Sequence, residues 1–247
     1  DQQDQEQQEQ EQQDQDQQNQ DQQDQEQQDA ENQQQDEQQQ GDQSQPGEPR
    51  PSEEMTEEEA EMMLDAIREE APGRIRWVLV THTHPDHSPA AMPLAQQTDS
   101  TLLGMPPPKG KVQDKTFRPD RVVADGELLE TDEFTLRAVH TPGHASNHVC
   151  YRHDGEQMLF TGDHIMNGST VVIDPPDGNM SDYLASLDKL KTLGLASLAP
   201  GHGGVIDNPN EMIDWLVDHR LGREAKVVAS LDAHPDSTLW DLTAHVY

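Results

Sequence analysis

Residues 81–87, THTHPDH, place three histidines and an aspartate within seven positions. Imidazole nitrogen and carboxylate oxygen are donors that suit Zn²⁺, and also Fe and Mn. The cluster follows IRWVLV (75–80), a short apolar, β-rich run that reads as a buried strand. Strand alternation puts His82 and His84 on the same side, so both imidazoles can reach one ion. Pro85 then turns the chain and lets Asp86 and His87 point toward a second ion. Three further segments repeat this placement. HTPGHASNH carries His144, LFTGDH carries Asp163 and LAPGHGG carries His202, each where a predicted strand gives way to a glycine-containing loop. A reading as ordinary surface or core histidines would have to explain the same placement at four strand ends.

Taken in order, THTHPDH, TPGH, GD and GHG resemble the motifs of the metallo-β-lactamase superfamily, over about residues 52–247. Through TGDHIMNGSTVVI (161–173) and HRLGREAK (219–226) the chain most resembles the branch that contains β-lactamase-like protein 2 and its bacterial relatives. The resemblance implies an α/β fold, the αββα sandwich of that superfamily. It also implies that His82, His84 and His144 bind a first metal, that Asp86, His87 and His202 bind a second, and that Asp163 bridges them. Two divalent ions, expected to be Zn²⁺ and ~3.5–4 Å apart, would share a water and lower its pKa toward neutrality. They would also polarise a carbonyl or phosphoryl oxygen and stabilise the charge that develops there. Asp86, as catalytic residue, or the shared water would pass a proton to the leaving group. The implied activity is that of a binuclear hydrolase using a metal-bridged hydroxide on an ester, thioester or phosphodiester. Its expected partners are a small-molecule ester or thioester, or single-stranded RNA.

Departures from the pattern narrow this. Asp163 stands where antibiotic-hydrolysing relatives place a cysteine, and His84 stands where flavo-diiron relatives place a carboxylate. Thr83 replaces the central histidine of glyoxalase II, which leaves thioester hydrolysis open without singling it out. The branch includes a single-strand-selective endoribonuclease, yet the acidic balance of the chain weighs against nucleic acid. KGKVQDKTFRPDR (109–121) has five basic residues in 13 positions and reads either as a phosphate-attracting patch or as a solvated loop. His140 and His148 are expected to support the TPGH loop by hydrogen bonds. His164 reads as cleft lining or an ordinary loop histidine, and Gly168, Ser169 and Thr170 as donors to substrate or a plain turn.

The elements that must position these residues are legible in outline. The 247-residue chain carries a net charge of −33, and residues 1–70 hold 25 acidic against 2 basic side chains. Residues 1–45 contain 25 Gln and 15 Asp or Glu, too little apolar surface to offset the entropy of ordering. Residues 1–51 are therefore expected to be a disordered acidic, Gln-rich tail and linker, and 52–247 a metallo-β-lactamase-type domain with a C-terminal helical segment. A helix is expected over about 52–70, with Thr56 and Glu59 as capping box and Met62, Met63, Ala66 and Ile67 as apolar stripe. Strands are expected near 75–80, 101–104, 121–124, 134–139, 148–152, 157–160, 170–173 and 195–200. Helices are expected from Ser88 onward, over 181–194 between Ser181 as cap and Gly194 as stop, over 208–231 from a cap near Asn208, and from Ser237 onward. Cys150 alone excludes an internal disulfide and fits a reducing, cytoplasmic compartment. No apolar run approaches the roughly 20 residues of a membrane span.

The Gln-rich residues stand where the family lays down its first strands, so the sandwich is expected to lack them. The first residue is Asp rather than Met and the last helix stops at LTAHVY, which reads as a fragment or an incomplete fold. A second functional reading follows: a catalytically disabled metal-binding or interaction protein.

Overall fold

A computed structural model describes residues 62, 65–67, 69, 73–110 and 112–246. The expected tail, linker and Thr56/Glu59 capping box, and the question of earlier strands, lie outside those residues. Met62, Ala66 and Ile67 of the expected helix are helical.

The described order is β1 (Trp77–Leu79), α1 (Ala91–Thr98), β2 (Thr101–Gly104), β3 (Arg121–Val122), β4 (Leu128–Glu130), β5 (Thr135–His140), β6 (Val149–His153), β7 (Met158–Gly162), α2 (Met180–Lys191), β8 (Ser197–Pro200), α3 (Pro209–Ala233) and α4 (Leu239–Val246). β1, β2 and β3 form a parallel sheet in that order. β4 to β8 form a second sheet, antiparallel as far as β7, with β8 parallel to β7 after the crossover through α2.

Alternation along β5 and β6 shows how the layers stack. Leu136, Ala138, Val149 and Tyr151 face the first sheet, where they pack with Leu103 and Val123. Val139 and Cys150 face the other way, into the core formed with Leu187 and Leu190 of α2, Leu198 of β8 and Ile213 and Leu216 of α3. On the far side of the first sheet, Ala91 and Ala95 of α1 pack with Val80, Leu102 and Phe117. Helix, sheet, sheet and helices make the expected αββα sandwich. The Tyr151 hydroxyl donates to the Val80 carbonyl at 3.0 Å, and Val149 N–H donates to the Thr81 carbonyl at 2.7 Å, so polar bonds join the two sheets beside THTHPDH. No described helix is long and apolar enough to cross a membrane.

Three expectations are corrected and one strand is added. Residues 170–173 are not a strand: the Val171 carbonyl accepts from Arg220 and the Val172 carbonyl pairs with His144, so these carbonyls serve side chains instead of a ladder. Leu128–Glu130, too short to show alternation, becomes β4 only through its pairing with β5. Helix α2 is capped by Asn179, whose side chain accepts from Asp182 N–H, and not by Ser181; it ends at Lys191, before Gly194. Asn208 does occupy the cap position of α3 but makes no side-chain cap bond.

Helix α2 packs directly on the TPGH turn. Asn179 N–H donates to the Gly143 carbonyl at 2.7 Å and Ser186 Oγ to the Pro142 carbonyl at 2.8 Å. Gly143 has φ of +144°, and a Cβ there would lie 2.4 Å from Tyr183 Cα. Gly143→Ala is therefore expected to lower stability by roughly 3 kcal/mol, since neither the backbone nor the helix can yield cheaply. Denaturant unfolding checks this; a midpoint equal to that of the parent would contradict the packing described.

Candidate metal centre

The four loops that leave β1, β5, β7 and β8 meet at one place. His82, His84 and His144 form one group, and Asp86, His87, Asp163 and His202 another; within each group the ligand-type atoms lie within 4.8 Å of one another. All seven residues expected from the sequence are brought together. His82 Nε2 and His84 Nδ1 are 3.1 Å apart, and both rings stand edge-on to His144. In the second group His87 Nε2 lies 3.3 Å from Asp86 Oδ2 and 3.2 Å from Asp163 Oδ2. His202 Nε2 lies 3.4 Å from Asp86 Oδ2 and 3.6 Å from Asp163 Oδ1. Asp163 also reaches the first group, with Oδ2 at 3.9 Å from His144 Nε2. The carboxylate at the end of β7 thus stands between the two sets.

The donor set fits a divalent cation. His144 Nε2 and Asp163 Oδ1 are buried without a hydrogen-bond partner, and such atoms are costly to bury unless something satisfies them. The local electrostatics point the same way. Burial, reinforced by the neighbouring imidazoles, holds His82 far below the usual histidine range and His84 down at about 4. Burial also lowers His144. Burial would raise Asp163, but His87, His202 and His144 outweigh it and hold the carboxyl below its usual range. At neutral pH these groups present free imidazole lone pairs and an ionised carboxylate, the states a metal requires. His87 is the exception: burial lowers it, yet Asp163 and Asp86 prevail and raise it.

The ring orientations are set by groups behind them. His144 Nδ1 is 2.7 Å from the Val172 carbonyl, and His82 Nδ1 is 3.1 Å from Thr81 Oγ1. His140 Nε2 bonds the Ser146 carbonyl at 2.9 Å, and fully buried His148 pairs with Thr141 Oγ1 at 2.9 Å, so both support the TPGH loop as expected. His164 does not line a cleft: it is fully buried against Tyr183, and burial lowers it to about 3. The 167–170 turn serves the His202 loop through Asn167, whose N–H donates to the His202 carbonyl and whose Nδ2 donates to the Gly204 carbonyl. Gly201 leaves room for Asp163, because a Cβ there would sit 2.9 Å from its Oδ1.

Sequence reasoning missed one buried network. Thr83, between the two histidines of the first motif, donates to Gln113 Oε1 at 2.5 Å and accepts from Asn147 Nδ2 at 2.8 Å. Gln113 Nε2 donates onward to Asp177, which also accepts from Ser146 Oγ. The network ties the first-motif loop to the TPGH loop and to the turn before α2. Nothing in the local sequence around Gln113 marks it.

Residues 51–202 match the model of the Metallo-beta-lactamase superfamily. The chain belongs to that superfamily. Over 176 residues it is 34% identical to the "Beta-lactamase-like protein 2 homolog" of Caenorhabditis elegans, covering 70% of this chain and 57% of the relative. Over 174 residues it is 30% identical to the "Atrochrysone carboxyl ACP thioesterase" of Aspergillus fumigatus, covering 69% of this chain and 52% of that one. The chain spans little more than half the length of these relatives. Among solved structures, a metallo-beta-lactamase family protein from Thermus thermophilus shares the fold with a TM-score of 0.59 at 21% identity, over 78% of this chain and 76% of that one.

Two outcomes are expected of this metallo-β-lactamase site. Thr83→Val keeps the shape but strands Gln113 Oε1 and leaves Asn147 Nδ2 only its longer contacts with the Met105 and Pro106 carbonyls, so stability should fall by roughly 1–3 kcal/mol, read by denaturant unfolding. An unchanged value would mean that the network contributes nothing. The second concerns pH in chelator-treated protein. His82, His84, His144, His148 and His164 are all lowered in the fold, so the unfolded chain binds more protons below its ordinary histidine value of 6.5. Stability should therefore fall as pH drops from 6.5 toward 4. Raised His87 works in the opposite direction but is one group against five. Below the carboxylate value of 3.8, the stabilisation from lowered Asp163 is lost as well. A melting temperature that stays flat from pH 6.5 to 4 would overturn the buried, neutral state of these histidines.

Proposed function

We propose that residues 52–247 form a binuclear metal-dependent hydrolase acting on thioesters and related small-molecule esters. The observation that carries this reading is Asp163, whose two oxygens reach ligand-type nitrogens of both groups. His82, His84 and His144 would hold one divalent ion and Asp86, His87 and His202 the other, with Asp163 shared; the imidazole and carboxylate donors suit zinc. When bound, two such ions lower the pKa of a water and polarise the carbonyl oxygen.

The chain's own residues supply the rest. The Val172 carbonyl and Thr81 hydroxyl hold the His144 and His82 rings in place, so the donors are arranged before anything binds. Asp86 has an exposed side chain, 60% accessible, beside His87 and His202. From there its carboxylate can take a proton from the attacking water as the new carbon–oxygen bond forms and pass it to the departing sulfur as the carbon–sulfur bond breaks. Cys150 takes no part: burial pushes its thiol up to about 12, and an inert buried thiol fits the reducing environment of the cytoplasm. The Aspergillus fumigatus relative is named as a thioesterase, which supports the choice of thioester.

Metal analysis with a hydrolysis panel of thioesters, lactones and single-stranded RNA tests the reading. The expected result is about two metals per chain and thioester turnover that drops more than about a hundredfold in His84→Ala and Asp163→Ala, beyond the loss typical of a residue that only supports a ligand. Metal-loaded protein that hydrolyses none of the panel would favour the disabled, metal-binding alternative. Cleavage of RNA alone would replace the substrate class.

A further inference from the structure

β1 and β2 are parallel neighbours, with Leu79 opposite Leu103. Their carboxyl ends therefore open on the same edge of the sheet, about 5 Å apart. The chain leaving β1 becomes THTHPDH. The chain leaving β2 becomes Met105–Pro106–Pro107–Pro108–Lys109, and it forms one wall of a cavity of about 490 Å³. Lys115 and Arg118 line the same cavity. That volume lies within the range of small-ligand pockets.

The cavity is built on fixed parts. Three successive prolines hold φ near one value and offer no N–H, so this wall is stiff. The other wall is anchored at Asp114, whose N–H donates to the Thr83 carbonyl at 2.7 Å, and at Phe117, which is fully buried under β2. Asn147 Nδ2, which bonds Thr83, also reaches the Pro106 carbonyl at 3.3 Å. Arg118 Nη1 donates to the Lys115 and Phe117 carbonyls, which fixes the guanidinium stem and leaves Nε and Nη2 available among the described residues. The two carboxylates of the same loop are already engaged. Asp114 accepts from Ser88 and Thr116, and Asp120 accepts from Leu102 N–H. No ion pair joins Lys109, Lys115 or Arg118 to a carboxylate among the described residues. A chain of net charge −33 has thus gathered three cations around one cavity, one loop away from the metal centre.

We propose that this cavity binds a phosphate group carried on the leaving-group side of a small thioester, while the thioester carbonyl lies at the metal centre. Lys115 and Lys109 supply ammonium donors and Arg118 a guanidinium fork suited to phosphate oxygens. Three cations around one small cavity match one or two phosphate groups, whereas a nucleic-acid strand is held by a track of contacts along its backbone. The proposal rests on the thioester reading above, and its test separates the two.

One acyl group would be presented on two thiols, coenzyme A, which bears phosphates, and N-acetylcysteamine, which bears none. In Lys109→Gln/Lys115→Gln, KM for the coenzyme A thioester should rise about tenfold or more with kcat unchanged, while kcat/KM for the truncated thioester stays the same. Arg118→Lys, which keeps the charge and loses the fork, should give a smaller rise, and it guards against misfolding of the double variant. Calorimetric titration with inorganic pyrophosphate should show binding to the parent that is weakened to the same degree in the double variant. If neither thioester is hydrolysed but pyrophosphate binding still depends on the two lysines, the thioester reading fails and the phosphate site stands. If pyrophosphate binds equally to parent and variant, or KM rises alike for both thioesters, the proposal is overturned. Displacement of pyrophosphate by a single-stranded oligonucleotide, with a salt dependence spanning many charges, would overturn the small-ligand assignment.

Discussion

A partly buried carboxylate at the end of β7 is the constraint around which the site is organised. Asp163 has lost most of its water, and three imidazoles from three other loops, His87, His144 and His202, lie close enough to compensate it. Those loops depart from β1, β5 and β8, so both sheets must be stacked in register before the carboxylate finds its partners. The apolar layer between the sheets and the polar joins at Val80 and Thr81 supply that register. Remove any one loop and a charge is left in a poorly hydrated place, which costs far more than a surface contact returns.

The same constraint governs the histidines. Seven chemically active side chains cannot all be charged within a few ångströms, and burial resolves the conflict by holding most imidazoles neutral. Neutral, oriented lone pairs with no protein donor to satisfy them form a site that gains from a cation, and the cation in turn gains from donors already fixed. The backing groups matter for this reason. Val172 is held next to Arg220 through the adjacent Val171 carbonyl, so the long helix α3 contributes to the aim of His144. An extended segment that the sequence presents as a strand is instead a scaffold of carbonyls.

The legibility of the sequence follows from this division. THTHPDH, TPGH, GD and GHG are readable because each compresses a strand end, a turn and a ligand-type side chain into a few positions, and the structure places all seven side chains together. The long elements, α2 and α3, and most strands are readable because periodicity and breakers act locally. What could not be read depends on partners distant in the chain. Gln113 matters because Thr83, 30 residues away, lies opposite it, and β4 exists because β5 does. His164 follows a ligand-type aspartate, yet it turns into the core against Tyr183, since the side chain after Asp163 faces the opposite way. The cap of α2 falls at Asn179 because the packing of the helix on Gly143 sets where it starts.

Charge distribution gives the site its last feature. The excess of acid is concentrated toward the amino-terminal residues, and from residue 71 onward the balance is 24 acidic to 14 basic. Five of those 14 bases fall within 109–121, so the loop that borders the centre carries a sign opposite to the rest of the chain. An anionic ligand repelled elsewhere meets a local attraction there, within reach at ordinary ionic strength of about one Debye length, near 8 Å. Two features then open on one sheet edge: a cluster of imidazoles and carboxylates that could hold metal ions, and a cavity rimmed by Lys109, Lys115 and Arg118. A substrate with a reactive carbonyl at one end and a fixed negative charge at the other would be oriented by both before any bond changed. Discrimination would then come from the spacing between them, because a ligand of the wrong length can satisfy one feature only by leaving the other unmet.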